Sequence, residues 1–183
     1  MQITKTKIPE ILIIEPKVHS DDRGFFMESF NQKVWQEATG LQTTFVQDNH
    51  SHSHQGVLRG LHYQLKQPQD KLVRVAQGEV FDVAVDLRRF SSTFKNWIGV
   101  MLSDKNKRQL WVPKGFGHGF LVLSSSADVL YKTTDYYVPE FACCLNWNDP
   151  DIGIEWPWQE HPILSEKDAA APRLLSAQIF EQV

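Results

Sequence analysis

A chain of 183 residues, 42% of them hydrophobic, can bury one sizeable core, and its length favours a single domain over residues 1–183. A formal charge of −3 supplies no basic field for nucleic acid or an anionic membrane, although local positive charge can still hold an anionic metabolite. No apolar run nears the roughly 18 residues of a membrane span, Met1-Gln2-Ile3-Thr4-Lys5 begins no signal peptide, and the two cysteines, Cys143 and Cys144, are neighbours, a spacing that rarely satisfies disulfide geometry; the expected location is the cytoplasm.

In chain order, Ile11 to Ile14 is a short apolar run closed by Pro16 and reads as a first strand. Ser20-Asp21-Asp22-Arg23-Gly24 is turn chemistry, followed by a strand over Phe25 to Phe30. Asn31 can cap a short helix over Gln32 to Ala38 that Gly40 ends. Thr43 to Gln47 is β-rich, whereas the Ser and Gly context of Asn49-His50-Ser51-His52-Ser53-His54 reads as a solvated loop. Val57 to Gln64 reads as a core strand interrupted by Gly60. Strands follow over Leu72 to Ala76, Glu79 to Leu87, Trp97 to Leu102, Gln109 to Val112, Gly119 to Leu123 and Val129 to Thr134, with a tight hairpin at Gln77-Gly78-Glu79. Polar and Gly/Pro clusters about every 8–12 residues suit a sandwich or barrel better than a parallel sheet. Asn148 to Pro172, rich in Trp and Pro, reads as covering loops with a short helix near the C-terminus.

Several residues in this frame can carry chemistry. His62 and Arg59 lie three apart on the Val57–Gln64 strand; a rigid element is how a general base is positioned, yet their opposite parity lets both reach one ligand only if the strand bends at Gly60. Alternate histidines at 50, 52 and 54 suggest a metal, but no carboxylate or cysteine ligand lies close in sequence. Arg23 and Glu28 flank a glycine turn, and Gln47-Asp48-Asn49 offers hydrogen-bonding groups for a polar ligand or plain turn chemistry. Lys71 matters if its ammonium meets developing negative charge. Tyr131 shares a strand face with Val129 and Thr133, so it is either a core tyrosine or a proton donor. Ser165 can cap a helix that holds Glu166, Lys167 and Asp168 in its first turn.

Pro113-Lys114-Gly115-Phe116-Gly117-His118 resembles the second signature of the cupin superfamily of small β-barrels. The first signature would need a second imidazole where the chain reads His62-Tyr63-Gln64, which leaves a poor site for a first-row metal. Together with Asp22-Arg23-Gly24-Phe25-Phe26, Gln47-Asp48-Asn49, Val57-Leu58-Arg59-Gly60-Leu61-His62, Gly78-Glu79-Val80-Phe81-Asp82-Val83, Gly117-His118-Gly119-Phe120 and Lys167-Asp168-Ala169-Ala170-Ala171-Pro172, the chain resembles the dTDP-4-dehydrorhamnose 3,5-epimerase family. That resemblance implies a mainly β, cupin-type jelly-roll barrel with a few short helices and a covering C-terminal segment. It also implies a homodimer acting on a dTDP-4-keto-6-deoxy sugar nucleotide, with no metal or other cofactor in catalysis.

By the same resemblance His62 is the base, Asp168 its carboxylate partner, Lys71 the group that stabilises the enolate oxygen, and Tyr131 the acid on the opposite face. Arg23 and Arg59 correspond to pyrophosphate contacts, Glu28, Gln47, Asp48 and Asn49 to polar contacts, and Tyr137 to a thymine-stacking residue. His118 and Lys167 correspond to further ligand positions, and Ala142 stands where a ligand-contacting glutamate is usual. Three alternatives stay open: epimerisation at C3 alone, a metal-dependent cupin oxygenase using His62, His118 and the 50–54 histidines, and a nucleotide-sugar-binding protein without catalysis.

Overall fold

Two antiparallel sheets packed face to face form a jelly-roll barrel in a computed structural model that describes residues 1–181. The six-stranded sheet contains β1 (Gln2–Lys5), β2 (Leu12–Glu15), β5 (Gln47–His54), β7 (Lys71–Gln77), β10 (Gln109–Val112) and β12 (Ser126–Thr133), in the order β1-β2-β10-β7-β12-β5. The five-stranded sheet contains β6 (Leu58–Gln64), β8 (Glu79–Asp86), β9 (Trp97–Ser103), β11 (Phe116–Val122) and β13 (Ala142–Cys144), in the order β13-β6-β11-β8-β9. A hairpin of β3 (Val18–Asp21) and β4 (Gly24–Met27) pairs with neither sheet.

Alternation along the strands builds three apolar layers. Val73, Val75 and Val129 of the large sheet meet Val80, Ala84, Leu102, Phe120 and Val122 of the small sheet in the barrel interior. Leu61, Tyr63, Val83 and Val85 point outward from the small sheet, and the C-terminal segment covers them with Leu145, Ile152, Leu174 and Phe180. On the outside of the large sheet, Leu12, Leu72 and Trp111 pack under helix α1 (Gln32–Thr39) through Trp35, which is fully buried. Asn31 caps that helix by accepting from the backbone N–H groups of Lys33 and Val34, and Gly40 ends it at φ +73°. Helix α2 (Glu166–Ala169), capped by Ser165, is the short C-terminal helix expected from the sequence.

The expected strands from Val57 to Thr134 form with end shifts of up to three residues. The loop reading of residues 49–54 is wrong: they belong to β5, which pairs with β12 from Gln47↔Thr133 to His54↔Ser126. Serine and histidine suit this edge strand because its outer face is open to water. Thr43 to Val46 is irregular instead, and the strand expected over Phe25–Phe30 stops at Met27. β1, β3 and β13 carried too few alternating apolar residues to be read from the sequence; pairing with their neighbours forms them.

The bend anticipated at Gly60 is a β-bulge. His62 faces His118 while Arg59 faces Phe120, so three steps on β6 match two on β11. The extra residue cancels the parity problem and turns Arg59 and His62 to the same side. Gly60 adopts φ +135°, and a Cβ there would approach Gly119 Cα to 2.5 Å and the His118 carbonyl oxygen to 2.9 Å. Gly60→Ala should therefore destabilise the fold by about 2–4 kcal/mol in urea unfolding; an unchanged midpoint would show that the bulge accepts a side chain.

Candidate active site

A cavity of about 500 Å³ opens between the two sheets under α2. Strand parity decides who reaches it. On the large sheet Gln47, Asn49, Lys71 and Tyr131 stand on inward-facing positions of adjacent strands: Tyr131 lies between Asn49 and Val73, and Thr133 between Gln47 and Lys71. On the small sheet the bulge turns Arg59 and His62 inward, and Asp168 and Lys167 descend from α2. Tyr137 closes the mouth from the loop after β12, half exposed, its backbone N–H donating to Gln47 Oε1 at 3.0 Å. His62 thus stands on one wall, and Lys71 with Tyr131 on the other.

His62 Nε2–H donates to Asp168 Oδ1 at 2.6 Å, which leaves Nδ1 as the ring nitrogen with a free lone pair. The imidazole is 44% exposed and the carboxylate 4%, so only the histidine meets solvent and ligand. Burial by itself would raise the Asp168 carboxyl, but the hydrogen bond and charge of His62, with donors from Ser165 and Cys144, hold it below the usual carboxylate range. Asp168 is therefore ionised at neutral pH and can act as an anionic acceptor for the His62 ring. Lys71 is buried, and desolvation pulls its ammonium down to about 8 against the opposing charges of Asp70 and Asp82. Burial likewise raises the Tyr131 phenol despite the opposing charge of Arg59, so it remains a proton donor.

Four expected site residues lie elsewhere on this chain. Arg23 is on the tip of the β3–β4 hairpin, almost fully exposed and paired with Asp21 at 2.6 Å, and Glu28 just beyond the hairpin accepts from Asn31. Asp48 has the wrong parity: it faces outward from β5 and accepts from Lys132 Nζ at 2.9 Å. His118 is buried behind the cavity wall beside His62, with Nε2 held at 2.9 and 3.1 Å from the Asp82 carboxylate. The His50 and His52 rings both bond Asp128 Oδ1 on the outer face of the large sheet, remote from His62. His50 and His52 therefore cannot join His62 and His118 at one metal centre.

Sequence reasoning missed Gln64 and Cys144. Gln64 Oε1 accepts from the Val138 N–H and its Nε2 donates to the Tyr136 carbonyl oxygen, so it fixes the loop that carries Tyr137. No sequence signal marks it beyond inward parity. Among the described residues, His62, Cys144 and Asp168 form the one trio whose donor atoms, within 4.8 Å of each other, could converge on a metal ion. Those atoms already bond one another, and burial followed by the Asp168 carboxylate pushes the Cys144 thiol up to about 12, so as arranged the trio fits protons rather than a divalent ion.

A histidine activated from behind on one wall, facing an ammonium and a phenol on the other, can take a proton from carbon, stabilise the resulting charge and return a proton from the opposite side. Such an arrangement on a jelly-roll barrel suits an isomerase that works by proton transfer. A family model described as dTDP-4-dehydrorhamnose 3,5-epimerase matches residues 5–176. The dTDP-4-dehydrorhamnose 3,5-epimerase of Salmonella typhimurium LT2 is 58% identical over 182 residues, 99% of this chain and 100% of its own length. That of Pseudomonas aeruginosa PAO1 is 57% identical over 180 residues, covering 98% and 99%. The crystal structure of dTDP-6-deoxy-D-glucose-3,5-epimerase from Legionella pneumophila Philadelphia 1, in complex with dTDP-4-keto-L-rhamnose, superposes with a TM-score of 0.96 at 54% identity, covering 100% of this chain and 99% of that one. The chain belongs to the dTDP-4-dehydrorhamnose 3,5-epimerase family.

The Lys71 charge can be tested directly. Below pH about 8 the buried amine is an ammonium and above it neutral, whereas the unfolded chain holds that proton to about 10.5. The unfolded state binds more protons across that window, so this group makes stability rise with pH there. Carbon-13 NMR of lysine-labelled protein should show one side chain titrating near 8, absent from Lys71→Met; normal titration of every lysine would mean the ammonium is solvated.

Proposed function

We propose that the chain epimerises C3 and C5 of dTDP-4-dehydro-6-deoxy-D-glucose to give dTDP-4-dehydro-L-rhamnose, as one cytoplasmic domain of a homodimer. The observation that carries this reading is the placement of His62 and Tyr131 on opposite walls of one cavity, with Lys71 between the strands that hold Tyr131 and Val112. In a 4-keto sugar the hydrogens on C3 and C5 are both α to the same carbonyl. Removal of either leaves an enolate with its charge on the C4 oxygen, so one set of groups can serve both carbons. His62 takes the proton through Nδ1, and Asp168 stabilises the imidazolium from the Nε2 side. The Lys71 ammonium binds the enolate oxygen more tightly than the ketone, which is where rate enhancement arises. Tyr131 gives a proton to the opposite face, and the centre inverts. A single group returning its own proton would restore the original configuration.

Arg59 suits the diphosphate, for which a forked guanidinium is fitted, with Gln47, Asn49 and Lys167 as further polar contacts and Tyr137 stacked on the base. Arg23 and Glu28 serve from a second copy. The β3–β4 hairpin that presents them joins neither sheet, and Phe25 and Phe26 stand 56% and 70% exposed on it, an apolar arm suited to another chain.

Two experiments test the two halves. With dTDP-4-dehydro-6-deoxyglucose in deuterium oxide, proton NMR should show label at both carbons and formation of the L-sugar. His62→Ala should lose exchange at both by at least about 10²-fold, and Tyr131→Phe should lose epimerisation about as strongly while exchange by His62 persists. Label at C3 alone would make the protein a mono-epimerase, and no label a binding protein. For the arm, Arg23→Ala and His62→Ala chains, each inactive alone, should regain roughly a quarter of parental activity when refolded together, because half the dimers then carry one complete site. No recovery would place Arg23 in its own chain's site, and parental activity of Arg23→Ala alone would place it outside catalysis.

A further inference from the structure

Cys144 has no part in the reaction as described, yet its side chain ends in the dyad. In the β13–β6 ladder it is the direct partner of His62. The flanking backbone is pinned on both sides, the Leu61 N–H donating to the Leu145 carbonyl at 3.1 Å and the Leu145 N–H returning to the Leu61 carbonyl at 2.9 Å. The sulfur is buried and stands 3.3 Å from Asp168 Oδ1, the same oxygen that accepts the His62 Nε2–H at 2.6 Å. A sulfur this close to an ionised carboxylate oxygen must present its hydrogen, because a thiolate there would place two anions in contact. The strong upward push on the thiol by burial and by Asp168 agrees.

We infer that Cys144 is a positioning residue of the dyad: its S–H donates to Asp168 Oδ1 and fixes which carboxylate oxygen faces His62. The inference rests on the reading of His62 as the base. The carboxylate is held from separate directions, by the strand through Cys144, by the histidine, and by α2, whose Asp168 N–H donates to Ser165 Oγ at 3.1 Å. A thiol is a weaker donor than a hydroxyl, so it orients Oδ1 while leaving most of its charge to the imidazole. Without the S–H the carboxylate pulls harder on the imidazole proton. More of the free enzyme then carries the imidazolium, which cannot act as a base, and the acid limb of kcat/KM moves to higher pH. The freed carboxylate also rotates, and kcat falls while KM, set by the nucleotide contacts, does not.

Cys144→Ala and Cys144→Ser separate this role from packing. The alanine variant should lose about tenfold in kcat at neutral pH, the worth of one hydrogen bond to a charged group, with KM within about twofold and the acid limb displaced upward. Serine keeps a donor on the same strand position and should recover most of kcat and bring the limb back to its parental position or slightly below it, a hydroxyl being the stronger donor. Equal losses in both variants with an unmoved limb would reduce Cys144 to a packing residue and overturn the inference, as would parental kinetics in alanine. An infrared difference spectrum of parent minus Cys144→Ala isolates the S–H stretch of Cys144 and needs no substrate. A band displaced to lower frequency supports donation to the carboxylate, and a band at the free-thiol frequency overturns it. That measurement also separates two failures: loss of the displaced band defeats the role of Cys144 alone, whereas persistent exchange in His62→Ala with the band intact defeats the reading of the base.

Discussion

A hydrogen bond that spans 106 residues, from His62 on β6 to Asp168 on α2, joins the barrel to the segment that covers it. Each partner is made effective by the other's surroundings. Asp168, almost fully buried, would be a poor anion without donors, and a half-exposed His62 would hold neither tautomer nor orientation without a fixed acceptor. The C-terminal cover is therefore more than a lid on the apolar outer face of the small sheet. The burial of Leu174 and Phe180 against Leu61 and Tyr63 anchors it, and Ser165 places Asp168 by capping the helix turn that carries it.

Much of this was legible in the sequence because alternation works in both directions. Period two along β12 puts Tyr131 with Val129 and Thr133, and these do face the interior. The same rule, applied once residues 47–54 are known to be a strand, sends Gln47 and Asn49 inward and Asp48 out to Lys132. The error at residues 49–54 came from composition: serine and histidine look like loop chemistry when one face of an edge strand is open to water and pairs its imidazoles with Asp128. Local pattern is blind to such pairing, as it is to β13, three residues that become a strand only because β6 offers an edge.

Other parts were beyond any local rule. Whether Arg59 and His62 could share a face depended on an extra residue at Gly60, which the sequence suggested through the glycine and the β6–β11 register resolves. The resemblance grouped Arg23 and Glu28 with the cavity residues, but their hairpin leaves this chain's own cavity without them. A motif records which residues a ligand meets and is silent on which copy of the chain supplies them. His118 shows a related limit: beside His62 in the ladder, it is buried, turned to Asp82, and absent from the cavity lining.

The arrangement of charge explains why the barrel tolerates a buried ammonium. Placing Lys71 out of water weakens its hold on its proton, and Asp70 and Asp82 restore only part of it. Such a cation is poorly satisfied at rest and gains most when an anion forms beside it, which is the condition for stabilising a transition state more than a ground state. The dyad follows the opposite logic, since Asp168 Oδ1 already accepts from His62 and Cys144 before any substrate arrives. On the proposed reading one wall thus holds the base by a hydrogen bond already made, while the other carries a buried cation whose charge Asp70 and Asp82 offset only in part. Because the two walls belong to different sheets, only the closed barrel brings them within reach of one sugar ring, and the fold supplies the opposed geometry that inversion requires.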